Sequence, residues 1–127
     1  MNVPFIDLKA QANAIRADLD PMLEALIQSC GFVLGQPVSD FEAAFSAYSD
    51  CDHGIGCASG LDALKLALRA LDVGPGDEVI TAANTFIATT LAVSSIGATP
   101  VLVDMDAYFN LDVEKLESAI TPKTKAI

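Results

Sequence analysis

The chain has 127 residues, 52% of them hydrophobic, and 7 basic against 17 acidic side chains give a formal net charge of −10. That length allows one domain at most, and the charge excludes the basic footprint that nucleic acids or anionic membrane surfaces require. Three cysteines (Cys30, Cys51, Cys57) and the single histidine His53 make neither a disulfide framework nor a multi-histidine metal site. They read as reduced thiols of a cytoplasmic protein, with no metal ligands assigned.

In chain order, residues 1–7 have no basic run and no long apolar run, so no signal peptide is expected. Residues 5–8 read as a short extended lead. A helix follows over about 10–29, with Ile15, Leu19, Leu23 and Leu26 on one stripe. Pro21 interrupts the pattern. Either the helix kinks there, or Asp20 caps a second helix with Pro21 at its first position. Phe32-Val33-Leu34 forms an apolar loop bracketed by Gly31 and Gly35. Ser39-Asp40-Phe41-Glu42 has the form of a capping box, opening a helix whose Phe41, Phe45 and Tyr48 share a face expected to pack into a core.

From Gly54 the rhythm becomes strand–helix. Strands are expected at 55–58, 78–81 and 100–104, and a further one begins at Lys125. Helices are expected over about 60–71, 85–96 and 112–120, with a tight turn at Gly74-Pro75-Gly76-Asp77 and a helix stop at Gly97. Residues 79–103 carry no charge and are long enough to span a bilayer. Their Thr, Ser and Ala content and strand-like ends favour a buried strand–helix–strand instead. Alternation at this spacing implies an α/β sheet covered on both faces. A sheet of three full strands leaves edges and surplus apolar surface, which predicts association with another chain or segment.

Three motifs bear on chemistry. Gly54-Ile55-Gly56-Cys57-Ala58-Ser59-Gly60 imitates a dinucleotide fingerprint. It lacks the preceding strand and the acidic residue at the end of the next strand, so no dinucleotide site is assigned. Ser59-Gly60-Leu61 opens a helix and fits two readings. Its backbone N–H groups and the helix dipole would seat a phosphate, or Ser59 is an N-cap completed by Asp62. Asn84-Thr85-Phe86 follows the carboxyl end of a strand, where ligands of α/β sheets gather. Phe86 either stacks on a flat ring or packs under the loop.

Taken together, these stretches resemble the N-terminal part of the DegT/DnrJ/EryC1/StrS family of pyridoxal-phosphate (PLP) sugar aminotransferases. The resemblance is carried by Val3-Pro4-Phe5-Ile6-Asp7-Leu8-Lys9, Ala58-Ser59-Gly60-Leu61-Asp62-Ala63-Leu64, Gly74-Pro75-Gly76-Asp77-Glu78-Val79-Ile80, Ala83-Asn84-Thr85-Phe86-Ile87-Ala88-Thr89, Gly97-Ala98-Thr99-Pro100-Val101 and Ile120-Thr121-Pro122-Lys123-Thr124-Lys125-Ala126-Ile127. They occur in the family's order and cover nearly the whole chain.

The resemblance implies an α/β fold: a partial large domain of PLP-transferase fold type I, aspartate-aminotransferase-like, with a truncated three-layer sheet. Within that single partial domain, 1–53 would be a helical N-terminal segment and 54–127 the alternating PLP-binding part. It also implies a cytoplasmic homodimer acting on a nucleotide-sugar substrate in surface-glycan or antibiotic-sugar biosynthesis. The cofactor-binding residues it implies are Ser59, Gly60, Leu61 and Phe86, with the backbone at 60–61 on the phosphate and Phe86 on the ring.

Two positions depart from the family pattern. Leu61 stands where Thr or Ser is usual, and Ala82 where Pro is frequent. The lysines here are Lys9, Lys65, Lys115, Lys123 and Lys125, and none matches the family's Schiff-base motif, which lies in sequence beyond Ile127, as does the acidic partner of the pyridine nitrogen. No catalytic residue is therefore assigned, and this chain alone is expected not to catalyse transamination. The alternatives are a non-catalytic oligomerising module that reuses the scaffold and, more distantly, a PLP-dependent sugar dehydratase.

Overall fold

The computed structural model describes residues 5–127 and divides into two compact units, Met1–Gly56 and Cys57–Ile127. Met1 to Pro4, which belong to the 1–7 stretch with no expected signal peptide and to the start of the first family-like stretch, lie outside the described residues.

The first unit is helical. Helix α1 (Leu8–Ser29) starts at Asp7, whose Oδ1 accepts from the Ala10 N–H at 3.0 Å, and ends at Cys30 in the left-handed conformation. It passes through Pro21 as one helix, which resolves the two sequence readings. Proline there removes one helical N–H and presses on the carbonyl four residues back. Helix α2 (Gln36–Tyr48) begins three residues before the expected capping box, with Gly35 as N-cap and Pro37 in the first turn. A proline is pre-set for that position, so Ser39 lies inside the helix. Glu42 turns elsewhere, its Oε1 accepting from the Gly56 N–H at 2.6 Å.

Two further expectations fail. Phe41 and Phe45 stack with centroids 5.5 Å apart, but Phe41, Phe45 and Tyr48 are exposed rather than packed in a core. Residues 55–58 form no strand, because their backbone has no ladder partner. Gly54 instead lies so close to α2 that a Cβ there would sit 2.6 Å from the Glu42 carbonyl oxygen. That close approach accounts for the first glycine of the dinucleotide-like motif.

The second unit is the α/β part: α3 (Gly60–Ala70), β1 (Glu78–Ala82), α4 (Ile87–Ser95), β2 (Thr99–Val103), α5 (Val113–Ala119) and β3 (Thr124–Ala126). Its three strands are parallel in the order β2-β1-β3, with Ile80 opposite Val101 in the β1–β2 register. The strands are joined by helices, as parallel neighbours require. The charge-free stretch 79–103 is thus β1–α4–β2. Among the described residues, no helix is long and apolar enough to cross a membrane.

β1 is the central strand, and its consecutive residues Val79 and Ile80 are both buried. Neighbouring side chains point to opposite faces, so both faces of the sheet are covered there. Val79 joins Val73, Val93, Ile96 and Ala98 in one core cluster. Gly97 closes α4 at φ +84, and a Cβ on it would lie 2.9 Å from Pro75 Cγ. Positive φ and the proline contact together explain why the helix stops there.

Candidate functional site

Helices α3 and α4 pack against one another, and both begin at the same cleft. The cleft measures about 1000 Å³ and is lined by Ser59, Gly60 and Leu61 at the start of α3 and by Phe86, Ile87 and Thr89 at the start of α4. All four residues singled out from sequence, which lie as far apart as 59 and 86, therefore border one space.

The start of α3 is built by Ser59. Its backbone is extended (φ −164, ψ 167), as an N-cap requires. Its Oγ accepts from the Asp62 N–H at 3.2 Å and donates to Asp62 Oδ2 at 3.2 Å. The capping reading of Ser59 is therefore realised, and the Asp62 carboxylate is engaged in the cap. The Ala63 N–H donates to the Ser59 carbonyl at 2.9 Å. The N–H groups of Gly60 and Leu61 have no hydrogen-bond partner among the described residues. They are the donors that the first helical turn leaves free, and they stand at the positive end of the helix dipole. The Gly60 Cα borders open space, since a Cβ there would meet nothing within 4 Å.

Phe86 is the N-cap of α4, extended at φ −64 and ψ 141. It is 77% exposed, so the alternative of a core residue under the loop does not hold. Thr85 Oγ1 and Thr89 Oγ1 are 2.9 Å apart and share a hydrogen bond across the first turn. Among the described residues, no charged side chain lines the cleft. Lys65 lies on α3, outside the lining residues. Leu61 contributes a half-buried apolar side chain and no hydroxyl.

Sequence reasoning passed over one connection at this site. Asn84 Nδ2 donates to the Phe109 carbonyl at 3.1 Å, joining the loop before α4 to the loop after β2. The contact spans 25 residues, so no local pattern could reveal it. The ion-paired groups of the unit lie in that second loop and the helix after it. The hydrogen bond from Lys115 holds the Asp112 carboxyl below its ordinary value and lifts the Lys115 ammonium above its own.

Comparison with known proteins shows what the chain is similar to. The profile of the DegT/DnrJ/EryC1/StrS aminotransferase family matches residues 13–127. The chain is 48% identical over 128 residues to a pleiotropic regulatory protein of Geobacillus stearothermophilus, an alignment covering 100% of this chain and 34% of that protein. It is 48% identical over 126 residues to dTDP-3-amino-3,4,6-trideoxy-alpha-D-glucose transaminase of Streptomyces venezuelae, covering 98% and 33%. Among solved structures, ntdA of Bacillus subtilis with bound cofactor PMP superposes with a TM-score of 0.91 at 37% identity, covering 97% of this chain and 29% of that one. The chain spans about a third of the length of the curated relatives it matches.

Proposed function

The chain belongs to the DegT/DnrJ/EryC1/StrS aminotransferase family, and from that premise we propose that it forms the phosphate-and-ring side of a PLP site. Its fold is α/β, part of the large domain of the aspartate-aminotransferase-like fold type I. The observation that carries the proposal is the cleft itself. Two free N–H groups at a helix N-terminus and one exposed aromatic ring border the same space.

The residues present suit the phosphate end and one ring face of that cofactor. Gly60 and Leu61 would donate to phosphate oxygens, and the dipole of α3 would favour the negative charge. Ser59 would keep the turn in shape through its bond to Asp62. Phe86 would lie on the pyridine ring, where offset stacking is favourable. When bound, PLP supplies the electron sink that makes amino-group transfer possible. Among the described residues, the cleft offers no lysine to hold it covalently and no carboxylate for its ring nitrogen. We therefore propose that the 127-residue chain does not carry out transfer on its own.

In this reading, the amino acceptor is a keto sugar on a nucleotide, the substrate class named for the dTDP- and UDP-sugar relatives. The setting is a cytoplasmic homodimer serving surface-glycan or antibiotic-sugar synthesis. Residues 1–53 and 54–127 are the helical lead and the PLP-binding part of one partial domain.

The test is a PLP titration of the purified chain, then borohydride reduction and intact mass. Saturable binding that pyridoxal, without its phosphate, does not reproduce is expected, with no covalent adduct. A stoichiometric adduct at one lysine would overturn the claim of incompetence, and absence of saturable binding would overturn the seat. A second reading, a non-catalytic oligomerising module, draws on the exposed Phe41, Phe45 and Tyr48. A monodisperse dimer that ignores PLP would favour it.

A further inference from the structure

Phe86 has no aromatic partner among the described residues, and the residue is 77% exposed. Packing therefore does not aim the ring, and its backbone must. That backbone belongs to a short loop fixed at two places. At one end, the Ala83 N–H donates to the Val103 carbonyl at 2.8 Å, beside the end of β2. At the next residue, the Asn84 side-chain amide reaches the Phe109 carbonyl.

The loop that receives Asn84 is itself closed. Asp106 Oδ1 accepts from the Tyr108 N–H at 2.8 Å and the Asn110 N–H at 3.0 Å, and the Asp106 N–H donates to the Asn110 carbonyl at 2.8 Å. Met105 and Leu111 form an antiparallel bridge below it. Phe109 sits at the apex with φ 65, a left-handed value uncommon for a residue with a side chain. Asn84 is thus tied to a stiff platform, two residues before the ring in question.

We propose that Asn84 is a positioning residue: its amide clamps the loop before α4 to the apex of the 104–112 loop and so sets the direction in which Phe86 presents its ring to a flat ligand. This rests on the reading of the cleft as a PLP site. The clamp acts on the ring and leaves the Gly60–Leu61 phosphate seat on α3 untouched. Its loss should therefore separate the two halves of the ligand.

The test uses the full 127-residue chain as wild type, Asn84→Asp and Asp106→Ala. Asn84→Asp keeps the size and removes the donor; Asp106→Ala loosens the platform. Each is checked by far-UV circular dichroism, titrated with PLP in competition with inorganic phosphate, and followed by amide hydrogen exchange. One hydrogen bond of ordinary net strength corresponds to about a three- to tenfold change in affinity. Both variants should weaken PLP by about that factor, leave inorganic phosphate unchanged, and exchange faster at 83–89 and 106–110. Equal weakening of both ligands would overturn the proposal, because the variants would then be loosening the whole site. Unchanged exchange in Asn84→Asp, or faster exchange with unchanged PLP affinity, would overturn it too. Failure of the wild type to bind PLP would be seen before any variant is made. It would remove the reading of the cleft and the ring-positioning role with it, while the exchange data would still show whether the clamp exists.

Discussion

Residues 5–56 and 57–127 are made of similar apolar material, yet every buried side chain among the described residues lies in the second stretch, between Val73 and Val103. In the first, neither α1 nor α2 has a buried residue, and Ile15, Leu19 and Leu23 of the α1 stripe stay exposed. The difference is one of layers. A periodic stripe gives a helix a face, but a face becomes core only when a second layer closes on it. The sheet supplies that layer in the second unit. The first unit depends largely on short-range bonds: the Asp7 cap, Arg16 to Asp20 at 2.9 Å and Gln36 to Asp40 at 2.8 Å. The second adds the ladder and distant ties such as Thr121 to Glu78 at 2.6 Å and Asn84 to Phe109.

The contrast breaks most readily at its deepest point. Ile80 is 1% exposed on the central strand and Leu19 is 40% exposed on α1. Ile80→Ala should cost about 2–5 kcal/mol, the usual range for emptying a core position. Leu19→Ala should cost less, about 1 kcal/mol, because 40% of that residue stays in water on folding. Denaturant midpoints of the two variants decide the matter, and equal losses would mean that the first unit has a core of its own.

Two glycines sharpen the same comparison. Gly97→Ala forces a side chain into positive φ and against Pro75, and should cost about 1–3 kcal/mol of global stability. Gly54→Ala meets the Glu42 carbonyl oxygen. Its effect should stay local, freeing the Gly56 N–H from Glu42 and speeding amide exchange at 54–56 with little change in the global midpoint. A global loss as large as that of Gly97→Ala would show that the 54–56 segment supports the whole chain.

What was legible in the sequence follows the same line. β1, α4 and β2 stood out within two residues of their ends, because a charge-free run interrupted by Asn84 and Gly97 has few other ways to fold. The cleft residues were legible too, since a small-residue turn opening a helix and an aromatic residue after a strand are local patterns. Burial was not. The Phe41, Phe45 and Tyr48 stripe has the spacing of a core face, and spacing says nothing about whether a partner layer exists. The expected strand at 55–58 failed for a related reason, because a strand is defined by its neighbour. Ser39 to Glu42 matched a capping box, but Pro37 had already started the helix. The Asn84–Phe109 tie joins residues 25 apart, beyond any window of local reading.

A smaller effect is expected at the cap of α3. Ser59→Ala removes the acceptor for the Asp62 N–H and the donor to its carboxylate, at a cost of about 1 kcal/mol. The freed Asp62 side chain would then face the same helix end as a phosphate, so PLP affinity should fall along with stability. Stability loss with unchanged affinity would separate the cap from the seat.

The smallest expected effect lies in α5. Lys115 Nζ is 3.0 Å from Asp112 Oδ2 and 3.7 Å from Asp104 Oδ2. The hydrogen bond from Lys115 lowers the Asp112 carboxyl below 3.8 and raises the Lys115 ammonium above 10.5. Since Asp112 is more acidic in the folded chain, its contribution is complete above its ordinary value and lost as pH falls through the lowered one. Since Lys115 is more basic in the folded chain, its contribution is complete below its ordinary value and lost as pH rises through the raised one. The pair therefore stabilises across the neutral range and fades at both extremes. Lys115→Met should lower the thermal midpoint slightly at neutral pH, by less in about 1 M salt. It should converge on the wild type as pH falls through the lowered Asp112 value, below which the carboxyl is neutral in both states. A gap that persists in acid would trace the loss to the lysine's carbon chain on α5 rather than to its charge. Asp112 would then hold the helix end mainly through its bond from the Glu114 N–H at 3.1 Å.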